Sequence, residues 1–251
     1  MTPADALLVV GAGFLGGGVN ALAGGGTLLT YPALLAAGLP PVLANTTSSV
    51  GLLTGYAGGS LAYRQELQGQ RARATRLIGA GVVGAVVGAV LLLVLDPDAF
   101  EGVVPYLVLL ACALLGFQPR LAAWLRGRGT ADEHPLWIAQ VLIGVGAVYG
   151  TFFGAGLGVV MLAVLGLLVA DDLQRLNALK GVLSLVINAV GALLFVVTGH
   201  VRWDAAALLA LGAFGGATLG VKLARRLPPN GIRAGVVVAG VTVATVLLLR
   251  A

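Results

Sequence analysis

The fold of this chain is decided by a glycine-rich stretch that occurs twice. Gly13–Gly25 reads GFLGGGVNALAGG, and Gly146–Gly158, 133 residues later, reads GAVYGTFFGAGLG. Two further pairs of short motifs keep nearly the same spacing: Asn45 with Asn177, and Gly84-x-x-x-Gly88 with Gly216-x-x-x-Gly220. A duplicated apolar unit interrupted by glycine is typical of a membrane transporter whose binding site lies between the repeats.

The composition indicates that lipid surrounds most of the chain. Hydrophobic residues make up 59% of it and charged residues 10%, against roughly a quarter charged in soluble domains. The mean hydropathy is +1.00. A soluble protein of this length could not bury so much apolar surface, so we expect one multi-pass, all-α domain in the cell membrane, plasma or inner.

The basic balance of the chain reflects membrane topology. The net charge is +5, but the basic residues are confined to short loops, so we expect no nucleic-acid partner. Cys112 is the one cysteine and lies in an apolar run, which rules out an intramolecular disulfide and suggests a packed side chain.

Stretches without Asp, Glu, Lys or Arg define the membrane segments. Five are near the length of one span: Leu77–Leu95, Gly102–Pro119, Leu176–Thr198 (interrupted by Lys180), Ala205–Val221 and Ala234–Leu249. Two are much longer, at 58 residues for Ala6–Tyr63 and 35 for Leu136–Ala170. Once a span near Val42–Tyr63 is removed, each half begins with an element too long for one helix and short for two, since a span takes about 20 residues.

We therefore predict that each half opens with a glycine-rich hairpin of two short or re-entrant helices, followed by three transmembrane helices. This gives about eight apolar segments, or ten helices if the glycine-rich segments cross fully. Irregular backbone at this depth requires cover from protein or a water-filled cavity.

The distribution of charge predicts that the two halves are inverted relative to each other. Basic residues tend to stay in the cytoplasm, and the basic loops here are marked by three groups: Arg64, Arg71, Arg73 and Arg76; Arg120, Arg126 and Arg128; Lys222, Arg225 and Arg226. The turn around Asp96, Asp98 and Glu101 is acidic and expected outside. We predict repeat 1 at residues 1–119, a cytoplasmic linker at 120–135 and repeat 2 at 136–251.

Lys180 is the leading candidate for a binding residue. It lies eight residues beyond Asp172, about 12 Å along a helix and close to the middle of the bilayer. Ionisable groups at that depth are costly and often mark a substrate path. The alternative is a long side chain that reaches back to the cytoplasmic surface. Because no acidic residue shares its apolar segment, the charge is available to an anion.

Other polar residues in apolar segments are further candidates. Asn45 and Asn177 occupy equivalent places, where an amide could bind an oxyanion or hold unwound backbone of the neighbouring hairpin. The remaining substrate-binding candidates are Thr46, Ser49, Asn20, Tyr149 and Thr151, with weaker ones at Tyr56, Ser184 and Asn188. Membrane hydroxyls often bond only to their own helix. Gly84, Gly88, Gly216 and Gly220 are interpreted as helix-packing residues.

Several other functions are excluded by the motifs. Gly11–Gly16 matches a dinucleotide-binding pattern, but the acidic residue required about 20 positions later is missing. His134 and His200 are far apart in the predicted topology, and no His, Cys or acidic cluster has metal-ligand spacing. There is no phosphate-binding loop. We expect no enzymatic activity, no cofactor and no metal.

The motifs resemble those of the TauE/SafE family of membrane proteins. The first copy carries the resemblance in Gly11–Pro32, Ala44–Ser48 and Gly58–Arg64, and the second in Tyr149–Gly158 and Asn177–Lys180. The resemblance covers essentially the whole chain. It implies a plasma-membrane permease for sulfite, sulfonates or related sulfur-containing anions, although these motifs do not distinguish one anion from another.

The sequence therefore predicts a secondary permease that binds a small anion and exposes it alternately to each side. Two alternatives remain: a transporter of an organic carboxylate or another small solute, and a membrane assembly factor that does not transport. Membrane lipids are expected partners, and self-association into a homo-oligomer is left open.

Overall fold

The computed structural model describes residues 1–22, 24–127, 135–169, 171–224 and 229–250. Within them the fold is all-helical, with ten helices and no strand: α1 Pro3–Leu22, α2 Thr27–Ala36, α3 Pro41–Ala62, α4 Arg71–Val94, α5 Pro97–Gly127, α6 Leu136–Phe152, α7 Leu157–Leu168, α8 Leu173–Val197, α9 Trp203–Ala224 and α10 Pro229–Arg250. Of the residues interpreted above, Arg128, His134, Arg225 and Arg226 lie outside the described residues.

Four of these helices are long and apolar enough to cross a membrane. They are α1, α4, α5 and α8, while the apolar parts described for α2, α6, α7, α9 and α10 are shorter, at 10–17 residues. An all-helical fold is expected in lipid, because a helix satisfies its backbone hydrogen bonds internally. The prediction of a multi-pass helical membrane protein is confirmed.

Each glycine-rich element divides into a longer helix and a shorter one. α1 has 20 residues and α2 has 10, while α6 has 17 and α7 has 12. The expectation of two short helices is therefore wrong for α1, which contains Gly16–Gly18 without a break. Only the second glycine cluster interrupts the helix, where Gly24 has φ +75°.

Glycines inside α1 and α4 serve close helix packing. A Cβ on Gly17 would clash with the carbonyl oxygen of Ala213 in α9, and a Cβ on Gly84 or Gly88 would clash with backbone of α6. Gly216 in turn stands against the backbone of Phe14. Contacts this close are possible only where the side chain is absent. The packing interpretation is confirmed for Gly84, Gly88 and Gly216. The structure does not describe the surroundings of Gly220.

The helices of the two halves of the chain, α1–α5 and α6–α10, pack against each other in a symmetric pattern. α1 packs chiefly against α9, and α6 packs chiefly against α4. α3 also packs against α8 and α9, while α4 packs against α8 and α5 against α10. The first and fourth helices of one half thus contact the fourth and first helices of the other.

Candidate anion-binding site

The two helix breaks meet in the interior of the protein. A Cβ on Gly24, in the break between α1 and α2, would lie 2.5 Å from the Cα of Gly158 at the start of α7. In the second break, Gly154 and Gly156 both have φ +81°, a left-handed conformation that glycine adopts without steric cost. Glycine is therefore required both for the turns and for the approach of one break to the other.

The start of α2 is held in place by Asn20. Asn20 Oδ1 accepts hydrogen bonds from the backbone N–H groups of Gly25, at 3.0 Å, and Gly26, at 2.7 Å. This carboxamide replaces the water that would satisfy these N–H groups in a soluble protein. It also leaves the positive end of the α2 dipole beside the start of α7, where a negative charge is favoured.

A small cavity lies where the two helix breaks meet, and three of the predicted binding residues line it. Its volume is about 20 Å³. Its lining consists of Asn20, Ala21, Gly24, Gly55, Tyr56, Gly59, Ser60, Tyr63, Gly158, Asn177, Lys180, Gly181 and Ser184. None of these residues is acidic, so the lining has one cationic side chain and no carboxylate.

The ammonium group of Lys180 lies inside the protein. The residue is 5% exposed, and its Nζ donates to Oδ1 of Asn177 at 3.1 Å. Asn177, three residues earlier on α8, is within reach on the same helix face. One amide neutralises no charge, and an ammonium group has three protons to donate. The arrangement can therefore accept an anion at Nζ.

Three other buried donors line the cavity without a hydrogen bond. They are Nδ2 of Asn20, Oγ of Ser60 and Oγ of Ser184. The Tyr56 hydroxyl lies beside Asn20. Buried polar groups normally find partners. Donors that converge on one cavity beside a lysine provide a setting for an oxyanion.

The other five predicted binding residues lie outside the cavity lining. Asn45 donates through Nδ2 to the carbonyl oxygen of Phe152, at 2.8 Å, and so holds the end of α6. The Thr46 and Ser49 hydroxyls bond to carbonyls of their own helix. Tyr149 donates to the carbonyl of Ala155 within the second break. Thr151 packs against Gly191, and its hydroxyl has no partner.

Two lining residues, Ser60 and Tyr63, were not identified as binding candidates from the sequence. A signal was present, because Tyr56, Ser60 and Tyr63 recur at intervals of four and three residues in an otherwise apolar stretch that spans the end of α3 and the residue after it. The same spacing joins Asn177 and Ser184 to Lys180 on α8. A polar stripe at helical period indicates which face of a membrane helix is turned from lipid.

An ion-pair network lies at the end of the protein that is predicted to be cytoplasmic. Asp171 accepts from Arg73 at 2.7 Å and from Arg175 at 2.8 Å. Gln70 donates to the carbonyl of Arg175, at 3.0 Å, and Arg175 donates to the carbonyl of Gln68. Partial burial raises the pKa of Asp171, but the hydrogen bonds and charge of the two arginines outweigh this and hold it below its ordinary value. The network joins the α3–α4 loop to the start of α8.

Comparison with known protein families decides the identity of the fold. Residues 9–247 match the family described as Sulfite exporter TauE/SafE. The chain belongs to this family. As a TauE/SafE protein it is a multi-pass membrane transporter and not an enzyme, and its resemblance to the family at the level of motifs is confirmed.

Similar TauE/SafE relatives carry names of the same kind. The chain is 30% identical over 224 residues to the probable membrane transporter protein ORF9 of Sinorhizobium sp, covering 85% of this chain and 80% of that protein. It is 27% identical over 222 residues to a probable membrane transporter protein of Haemophilus influenzae, with coverages of 84% and 82%. It is 28% identical over 209 residues to the probable membrane transporter protein YfcA of Escherichia coli strain K12, with coverages of 83% and 77%. No solved structure matches the chain.

Proposed function

We propose that this TauE/SafE protein is a secondary permease for a small anion that binds at Lys180, between the two halves of the chain. The observation that carries the proposal is the buried ammonium group of Lys180 in a cavity without an acidic residue. A lone buried charge is expensive in a membrane protein and is generally retained for function. Its natural counter-charge is the substrate.

The transport cycle is proposed to be alternating access between two inverted repeats, residues 1–119 and 136–251, joined by a linker at 120–135. The symmetric packing of the helices supports two related halves, because α1 packs chiefly against α9 and α6 packs chiefly against α4. Broken helices at the repeat interface support a binding site there. In this scheme the halves rock around the site without chemistry on the substrate.

The size of the cavity supports a closed, occluded arrangement. A volume of about 20 Å³ holds one or two water molecules, since one water needs about 10–15 Å³ on this scale. An anion with four heavy atoms requires more room. Separation of Gly24 from Gly158 would widen the cavity, so binding and the movement of the halves would be linked.

The proposed substrate is sulfite, a sulfonate or a related sulfur-containing anion. The description of the family names sulfite, and this supports the sulfur-containing class. Lys180 Nζ, Asn20 Nδ2 and the hydroxyls of Ser60 and Ser184 provide donors for the oxygens of such an anion. A carboxylate can accept the same number of hydrogen bonds, so the flux assay includes carboxylates beside sulfite and sulfonates.

The test is anion flux through liposomes that contain the purified protein. We expect saturable sulfite flux by the wild type, and flux in Lys180→Met that is about 10–100-fold lower, because a hydrogen bond to a charged group contributes about 1.5–3 kcal/mol. Lys180→Arg should recover part of the flux.

The matched control is Ser49→Ala, which removes a buried hydroxyl that already bonds to its own helix at 3.0 Å and should leave the flux unchanged. Equal flux in Lys180→Met and the wild type would refute the site. If sulfite, sulfonates and carboxylates all fail to cross with the wild type, the alternative of a membrane assembly factor gains support.

A further inference from the structure

The C-terminal end of α6 carries carbonyl oxygens that lack a donor. The N–H groups of Phe153 and Gly154 both donate to the carbonyl of Tyr149. The carbonyls of Gly150 and Thr151 consequently accept no hydrogen bond from any residue that the structure describes. The last carbonyls of a helix also form the negative end of its dipole, so this position favours a positive charge.

Two buried side-chain oxygens at the same helix end also lack a donor. Asn45 is 0% exposed, and its Nδ2 donates to the carbonyl of Phe152. Because a carbonyl oxygen can only accept, this bond fixes the orientation of the amide, and Oδ1 is left without a partner. Thr151 is 2% exposed, and its Oγ1 is likewise unpartnered.

Close packing at Gly154 brings α2 to the same helix end. The position at which a Gly154 side chain would begin lies 3.3 Å from the carbonyl oxygen of Gly150 and 3.4 Å from Oγ1 of Thr27. Thr27 is the first residue of α2. Because Gly154 has no side chain, the Gly150 carbonyl and the Thr27 hydroxyl can approach the same point. Asn45 of α3 contacts the same helix end through the carbonyl of Phe152, so oxygen atoms of α2, α3 and α6 lie at or next to the second helix break.

We propose that these oxygens form a binding site for a sodium ion. The ligands are Asn45 Oδ1, Thr151 Oγ1, Thr27 Oγ1 and the carbonyls of Gly150 and Thr151. Hard cations take oxygen ligands, and divalent ions in proteins rely on carboxylates, of which this site has none. Neutral oxygens at the end of a broken helix instead suit a monovalent ion.

The site links the cation to the proposed anion transport, on which this part of the inference rests. The break between α6 and α7 presents a negative helix end on the α6 side and a positive helix end on the α7 side, where Gly158 lines the anion cavity. The cation ligands come from both halves of the chain. Sodium would therefore hold the halves in the closed arrangement and couple its own gradient to the movement of the anion.

The test is sodium-dependent stabilisation of the purified protein, with chloride as the anion and with sulfite, sulfonates and carboxylates absent. We expect the midpoint of thermal unfolding to rise with NaCl and not with KCl or choline chloride at equal ionic strength. Thr151→Val should need at least about tenfold more sodium for the same rise. The matched control is Thr46→Val, the same change at a hydroxyl that bonds to its own helix, which should respond as the wild type does.

Two outcomes would overturn the sodium site. One is equal stabilisation by sodium, potassium and choline, and the other is a Thr151→Val response indistinguishable from that of Thr46→Val. If Thr151→Val does not fold, binding of radioactive sodium to the wild type, displaced by NaCl but not by KCl, decides the question. None of these measurements uses anion flux, so sodium binding and anion transport can each fail without the other.

Discussion

Asn20 offers a way to separate the stability of the first helix break from the charge of the anion cavity. Its Oδ1 accepts the N–H groups of Gly25 and Gly26, at 3.0 and 2.7 Å. In Asn20→Ala both N–H groups lose their acceptor, and each buried unsatisfied group costs about 1–3 kcal/mol. The adjacent cavity can admit one water to replace one acceptor. We therefore expect a loss of about 1–3 kcal/mol in the free energy of unfolding.

Asn20→Asp should give the opposite combination of effects. The carboxylate retains both acceptor positions, and Lys180 in the same cavity lining offsets part of the cost of burying its charge, so we expect a smaller loss of stability than in Asn20→Ala. The same carboxylate lines the cavity with Lys180 and supplies an internal counter-charge. An external anion must then compete with it, and we expect sulfite flux at least about tenfold lower, equivalent to about 1.4 kcal/mol of binding.

The assays are unfolding of the detergent-solubilised variants and sulfite flux in liposomes. Ser49→Ala, whose hydroxyl bonds within its own helix, serves as the control for loss of a buried polar group. The reasoning is refuted if Asn20→Ala is as stable as this control. It is also refuted if Asn20→Asp transports sulfite at the wild-type rate.

Three further predictions concern helix packing at Gly88, the hydrogen bond of Tyr149 and the ion pairs of Asp171. Gly88→Ala should lower the free energy of unfolding by about 1–3 kcal/mol, because its Cβ meets the backbone of Val148; Gly79→Ala, which faces open space, should not. Tyr149→Phe should cost about 1–3 kcal/mol by leaving the Ala155 carbonyl without its donor, as measured by thermal unfolding. Since the pKa of Asp171 is lowered in the folded protein, its ion pairs stabilise the fold above its ordinary pKa of 3.8, and this contribution is lost as the pH falls below that value. Asp171→Asn should be less stable at neutral pH by about 1 kcal/mol and show a weaker acid dependence between pH 5 and 3; an unchanged acid profile would contradict this.

The helices could largely be predicted from the sequence because a helix that crosses lipid needs an apolar stretch of about 20 residues with few charges. The span expected near Val42–Tyr63 is α3, Pro41–Ala62. The span expected at Gly102–Pro119 is longer in the structure, Pro97–Gly127, because a helix need not end where its charge-free stretch ends. Pro119, which could have ended it, lies inside that helix.

The hydrogen-bond partners of the candidate site could not be predicted in the same way. Asn45 and Asn177 are equivalent in sequence, yet one holds the carbonyl of Phe152 and the other accepts from Lys180. The difference depends on contacts between segments more than 100 residues apart. Lys180 could be singled out because a charge in an apolar segment is visible in the sequence alone. Ser60 gives a weaker signal, since only its spacing from Tyr56 and Tyr63 marks it and a hydroxyl in a membrane helix usually bonds to its own backbone.

The central claim is that an anion binds at Lys180, between the two halves of the protein. The most direct measurement is an experimental structure of the protein with selenite, a heavier analogue of sulfite, located by the anomalous scattering of selenium. If the anion binds there, a selenium peak should lie between Gly24 and Gly158, with an oxygen of the anion within hydrogen-bonding distance of Lys180 Nζ. A selenium peak elsewhere, out of reach of Lys180 Nζ, with no peak between Gly24 and Gly158, would contradict the claim.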